Sequence, residues 1–141
     1  MDDELYKQNI LDRYRHPRNK RVMADFDVRE AGVHASCGDS LMLYLTFDKT
    51  GGNRKNGREI EDVSFDGEGC AISMAAADML MGTIRGKNKE EILALGKDDM
   101  AGLLGVEVGM SREQCALLSL NTLKKAVTHP LPTSPPKEVE G

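Results

Sequence analysis

The sequence predicts an α+β domain, and three observations carry that expectation. Leu41, Leu43, Leu45 and Phe47 alternate with Ser40, Met42, Tyr44 and Thr46, the period of a strand with one buried face. From Cys70 through Ile84 the chain turns to Ala, Met, Leu and Ile on nearly every side, as in a helix buried across a sheet. Between these, Gly51, Gly52, Asn53, Asn56 and Gly57 mark an exposed hairpin loop over residues 48–57, after which Ile60 to Phe65 returns as a strand. At 141 residues the chain fits one domain with a core of useful size.

Taken in order, Leu5, Ile10, Leu11 and Tyr14 recur at helical spacing between Glu4 and Tyr14, and His16 followed by Pro17 stops the segment. His16 belongs to a solvated turn. Arg13, Arg15, Arg18, Lys20 and Arg21 form the one basic cluster, read first as a wet helix end that favours cations and second as a docking patch. Ala24 to Val33 alternates loosely and suggests an edge strand. Asp66, Gly67, Glu68 and Gly69 predict a tight turn before the buried helix, in which Met74, Met79 and Met81 are adaptable core filler rather than a soft-metal box. Asn88 caps a short helix from Lys89 to Leu95, Gly96 stops it, and a brief turn follows from Lys97 to Leu104. Ser111 and Gln114 form a capping-box pattern for the last helix, which Ala116, Leu118, Leu120, Leu123 and Val127 carry to His129 and Pro130. The Pro-rich, charged stretch 131–141 reads as a flexible tail.

Composition narrows the function classes. Lys plus Arg number 19 against 23 acidic residues, a net charge of −4 with the basic residues mostly scattered, which argues against nucleic acid. No apolar run reaches the roughly 18–20 residues that span a bilayer, and Met1, Asp2, Asp3 and Glu4 make an acidic start where a secretory signal is basic. The expected setting is the cytoplasm, without membrane. An odd number of cysteines there predicts reduced thiols rather than a disulfide framework.

Those thiols are Cys37, Cys70 and Cys115. Cys37, Gly38 and Asp39 form a turn in which a soft sulfur and a hard carboxylate stand two residues apart and glycine lets both face one point. Three thiolates and one carboxylate suit a tetrahedral zinc ion or the protein side of an iron–sulfur cluster. Cys70 falls at one helix start and Cys115 close to another, where unpaired N–H groups stabilise a thiolate. Arg112, three residues before Cys115, stands where it offsets negative charge or serves as an ordinary surface arginine. No CxxC pair gathers ligands locally, so spacing alone leaves open whether these are ligands or three unrelated thiols.

The segments Ile10–Asn19 (ILDRYRHPRN), Ser36–Asp39 (SCGD), Phe65–Ala77 (FDGEGCAISMAAA), Gly86 with Lys87, and Cys115–Leu118 (CALL) resemble the NifU-like iron–sulfur cluster scaffold family of IscU and SufU types, over about Leu5 to Val127. The resemblance implies a three-stranded antiparallel sheet with helices packed on it, a domain over residues 1–130, and a cofactor and metal site of Cys37, Asp39, Cys70 and Cys115 supported by Arg112. The chain also departs from the family. IscU types place a Leu-Pro-Pro-Val-Lys motif and a histidine before the third cysteine, whereas residue 114 here is Gln. Arg112 is SufU-like, but the SufU insertion between the second and third cysteines is missing. The usual Asn-Pro before the first cysteine is replaced around His34 and Ala35, and the sequence leaves open whether His34 acts as a ligand.

What the resemblance implies for function is a scaffold rather than an enzyme. A transient two-iron, two-sulfur (2Fe–2S) cluster is assembled with persulfide sulfur from a pyridoxal-phosphate cysteine desulfurase, then handed to apo iron–sulfur acceptor proteins. A homodimer around the cluster is a further expectation. The alternative is a zinc-dependent sulfurtransferase of SufU type, in which one cysteine must leave the metal for sulfur to move. A purely structural zinc domain ranks last, because such sites usually use local ligand pairs.

Overall fold

The computed structural model describes residues 3–34, 38–47, 59–105 and 110–128, with side chains described from residue 8 and, in the last segment, from residue 113. In chain order the elements are α1 (Asp3–Arg15), β1 (Val28–His34), β2 (Asp39–Phe47), β3 (Ile60–Glu68), α2 (Ala71–Met81), α3 (Lys89–Leu93), α4 (Lys97–Leu104) and α5 (Met110–Thr128). The three strands form one sheet in the order β1-β2-β3, and both pairings are antiparallel.

Register decides which side chains meet the helices. Val28, Glu30, Gly32 and His34 of β1 lie opposite Leu45, Leu43, Leu41 and Asp39 of β2, which in turn lie beside Val63, Phe65 and Gly67 of β3. Directly opposed residues share a face. Leu41, Leu43, Leu45, Val63 and Phe65 on this face are buried, and α5 packs against β1 and β2 while α2 packs against β3, α5, α1 and α4. Ala75, Ala76, Ala77, Leu80 and Met81 make α2 the middle of the core, and Met74, Met79 and Met81 are buried there as filler. Asp39 is in phase with the leucines of β2. The strand's two-residue period therefore carries its carboxylate into the core.

Local signals set most helix ends. Asn88 and Glu91 exchange a capping box ahead of α3, the Glu91 N–H donating to Asn88 Oδ1 at 3.0 Å and the Asn88 N–H to Glu91 Oε1 at 2.9 Å. Where a brief turn is expected at Lys97–Leu104, the chain forms a two-turn helix; Asp99 accepts from the Gly96 N–H at 2.7 Å and Gly105 ends the helix at φ +80°. Residues 66–68 of the turn expected at 66–69 are instead the end of β3, because its ladder with β2 runs on through Ser40 and Glu68, and only Gly69 lies beyond the strand. Pairing outweighs the turn-prone composition there. Helix α5 starts at Met110, one residue ahead of the expected Ser111 cap, so its capping position falls outside the described residues, as do the loop 48–57, His129 and the tail.

Within the basic cluster Arg13 is tied to the core, whereas the Arg15, Arg18, Lys20 and Arg21 side chains are exposed. Arg13 Nε donates to Asp78 Oδ2 at 2.6 Å, and the Arg18 and Asn19 N–H groups donate to Asp78 Oδ1 at 2.8 and 2.7 Å. Asn19 Nδ2 reaches the Asp78 carbonyl at 3.0 Å. Asp78, fully buried near the end of α2, thus ties α1 and the turn after it to the core. Asn19 and Arg21 then exchange backbone hydrogen bonds with Phe65, lining the outer edge of β3. Asp78→Ala should cost about 3–5 kcal/mol, since it strands a partly buried guanidinium and two backbone donors. Urea unfolding at neutral pH measures this, and a loss below about 1 kcal/mol would contradict the tether.

Candidate metal centre

The β1–β2 hairpin begins the site. His34 and Asp39 are the last opposed pair of the ladder, so both side chains leave the same face at the hairpin tip. Gly38 takes φ +71°, a left-handed conformation that suits glycine and turns the chain directly into β2. The next row position on the β3 side is Gly69. A Cβ there would lie 2.6 Å from Asp39 Oδ1, so only glycine leaves the carboxylate its place.

A buried carboxylate needs donors, and α2 supplies them. The Cys70 N–H donates to Asp39 Oδ1 at 2.9 Å, and Ser73 Oγ donates to Oδ2 at 2.5 Å. Burial pushes the Asp39 pKa up, but the Ser73 hydroxyl, the Cys70 N–H, Cys115 and the nearby His34 together hold it below the ordinary value. Cys70 is the N-cap of α2. Its Sγ accepts from the Ser73 N–H at 3.4 Å and lies 3.9 Å from Asp39 Oδ2. Cys115 is buried in the second turn of α5, just after the first turn, as its place four residues after Ser111 expects.

The fold brings Asp39, Cys70 and Cys115 together, although they are distant in sequence. Donor atoms of His34, Asp39 and Cys115 all lie within 4.8 Å of one another. Cys37 lies outside the described residues, and the Arg112 side chain is likewise outside them, although its backbone falls three residues before Cys115 in α5. Sequence reasoning missed Ser73 and Gly69. The signal for Ser73 was its place three residues after a helix N-cap, and for Gly69 its place beside Cys70. Sulfur, carboxylate and imidazole donors so gathered fit a zinc or iron centre better than a magnesium or calcium site, which wants oxygen throughout.

The NifU-like N terminal domain model matches residues 5–130, nearly the whole chain. The chain belongs to the NifU-like N-terminal domain family. Among its relatives, the zinc-dependent sulfurtransferase SufU of Bacillus subtilis is 36% identical, with 89% of this chain and 90% of that protein covered. The iron–sulfur cluster assembly scaffold protein IscU 1 of Archaeoglobus fulgidus is 30% identical over 87% of this chain and 74% of its own. In three dimensions the chain resembles the crystal structure of FiSufU from Fervidobacterium islandicum, described as a putative iron–sulfur cluster assembly scaffold protein for the SUF system. That likeness has a TM-score of 0.68 at 29% identity and covers 90% of this chain and 99% of the other. Like its NifU-family relatives, the chain is one α+β unit. Among the described residues no helix is long and apolar enough to cross a membrane.

Because Asp39 has a depressed folded pKa, it contributes stability above its unfolded value of about 3.9, and that contribution is lost as pH falls through the folded value. Ser73→Ala removes a donor to the charged form. In metal-free protein it should cost about 1–3 kcal/mol at pH 7, with the gap to the parent chain narrowing as pH falls towards 3. Urea unfolding across that range checks it, and a gap independent of pH would contradict the hydrogen-bond account.

Proposed function

We propose that this chain is an iron–sulfur cluster assembly scaffold that builds a transient 2Fe–2S cluster on Cys37, Asp39, Cys70 and Cys115 and passes it on. The observation that carries this reading is a buried carboxylate held between two cysteines by donors from α2. A site meant only to brace a fold would gain from another thiolate at that position. A hard oxygen holds a cluster iron less firmly than sulfur does, and so makes the cargo easier to release. The chain's own part is to present three thiolates and one weaker ligand to the metal, with Arg112 offsetting their charge. Sulfur is taken to arrive as persulfide from a cysteine desulfurase, and the cluster to leave for apo acceptor proteins. The proposed setting is the cytoplasm, with two copies able to share a cluster.

A second reading, zinc-dependent sulfur transfer, is favoured by the name of the Bacillus subtilis relative and by Arg112. The same donors suit zinc, and transfer then needs one cysteine off the metal. Protein purified without oxygen and reconstituted with a desulfurase separates the two. A brown product with iron matched by acid-labile sulfide supports the scaffold. A colourless product that keeps zinc and carries persulfide supports the transferase. Asp39→Ala should retain its cluster longer than the parent chain when mixed with an apo acceptor; transfer at the parent rate would remove the release role from Asp39.

A further inference from the structure

Three of the five large hydrophobic side chains exposed among the described residues, Leu11, Tyr14 and Val22, fall in one stretch, while Val33 and Leu93 stand elsewhere in the chain. Scattered exposed apolar residues are ordinary, but a group of them beside charge marks a contact surface. The same stretch carries the exposed cations Arg15, Arg18, Lys20 and Arg21. Arg18 reaches Asp12 at 3.8 Å and Arg21 reaches Asp62 at 2.6 Å, whereas Arg15 and Lys20 have no ion partner among the described residues. Helix-dipole compensation accounts for Arg15 in the last turn of α1, but Lys20 and Arg21 lie beyond it along the edge of β3. Gln8, Leu11, Asp12, Arg15 and His16 line a shallow groove of about 250 Å³, with room for one large side chain.

We infer that this surface docks an acidic segment of a partner protein, which sets an apolar side chain against Leu11 in the groove and carboxylates against Arg15 and Lys20. Charge complementarity selects the partner: the chain is net −4, yet residues 13–21 hold five cations and no acidic residue. Nucleic acid or an anionic lipid surface fits less well, because Asp12 and Asp62 stand among the cations and repel a continuous row of phosphates, while discrete carboxylates pass between them. Tyr and Arg side by side also match the composition of protein contacts. The surface lies away from the metal centre and does not depend on the cluster-assembly reading. Asp78, which holds Arg13, Arg18 and Asn19, follows the Cys70 N-cap by eight residues, about 12 Å along α2 at roughly 1.5 Å per residue. Docking and metal chemistry thus occupy different ends of α2.

The test uses the full chain and a fluorescein-labelled synthetic peptide, Glu-Asp-Glu-Leu-Phe-Glu-Asp-Glu, followed by fluorescence anisotropy at low salt. The inference expects saturable binding that the double variant Arg15→Glu/Lys20→Glu weakens at least about tenfold and Leu11→Ser at least about fivefold. Reversal of an exposed charge on α5, Lys125→Glu, should leave the affinity within about twofold of the parent. The peptide with every acid replaced by its amide should bind at least about tenfold more weakly. Parent-like binding in the double variant or in Leu11→Ser would overturn the inference, as would an equal loss in Lys125→Glu or no saturation by millimolar peptide. A single-stranded oligonucleotide of equal charge, or phosphatidylglycerol vesicles, competing as well as the unlabelled peptide would overturn the choice of an acidic protein. Amide chemical shifts of the parent chain decide independently of how the variants fold. Movement at residues 11–15 and 20–22 supports the surface, and movement centred elsewhere overturns it.

Discussion

A carboxylate in the leucine row of the central strand is the constraint on which the site depends. Asp39 follows the same two-residue period as Leu41, Leu43 and Leu45, so the sheet cannot bury its core face without burying this charge. The surrounding sequence answers that demand atom by atom. Gly69 makes room, while the Cys70 N–H and Ser73 hydroxyl donate. Because these donors open α2, satisfying Asp39 also brings Cys70 to the carboxylate. Core packing and site assembly are therefore one event.

Helix α2 is held by buried acids at both ends. Asp39 binds its first turn to β2, and Asp78, near its end, binds α1 and the turn after it through Arg13, Arg18 and Asn19. Between them the helix is Ala and Met over much of its length, which lets it lie close to β3 and α5 but gives little polar registration of its own. The two carboxylates supply that registration. A shift of α2 along its axis would break hydrogen bonds at both ends, so the distance between Cys70 and Asp39 is fixed by contacts far from the site as well as within it.

Much of this was legible in the sequence. The leucine alternation, the Asn88 cap and the apolar run after Cys70 each depend on neighbours in the chain, and each led to the right element. Asp39, Cys70 and Cys115 could be named from their local settings and the family resemblance. Their convergence could not be read from spacing, because strand register and helix packing set it. Asp78 was hidden for the same reason: a single acid in an apolar helix signals a partner but not which one. The 66–69 segment misled because its glycines and acids suit a turn in isolation, and only the ladder with β2 makes residues 66–68 strand. His34 gained weight only once its opposition to Asp39 fixed its face.

X-ray absorption at the metal edge of protein purified without oxygen tests the central claim most directly, because it counts light and sulfur atoms around the metal. The account predicts a mixed shell in which sulfur is joined by at least one nitrogen or oxygen ligand, and predicts that the light-atom contribution falls in Asp39→Ala. A shell of sulfur alone, or one unchanged by that substitution, would contradict the assignment of Asp39 as the carboxylate around which the centre is built.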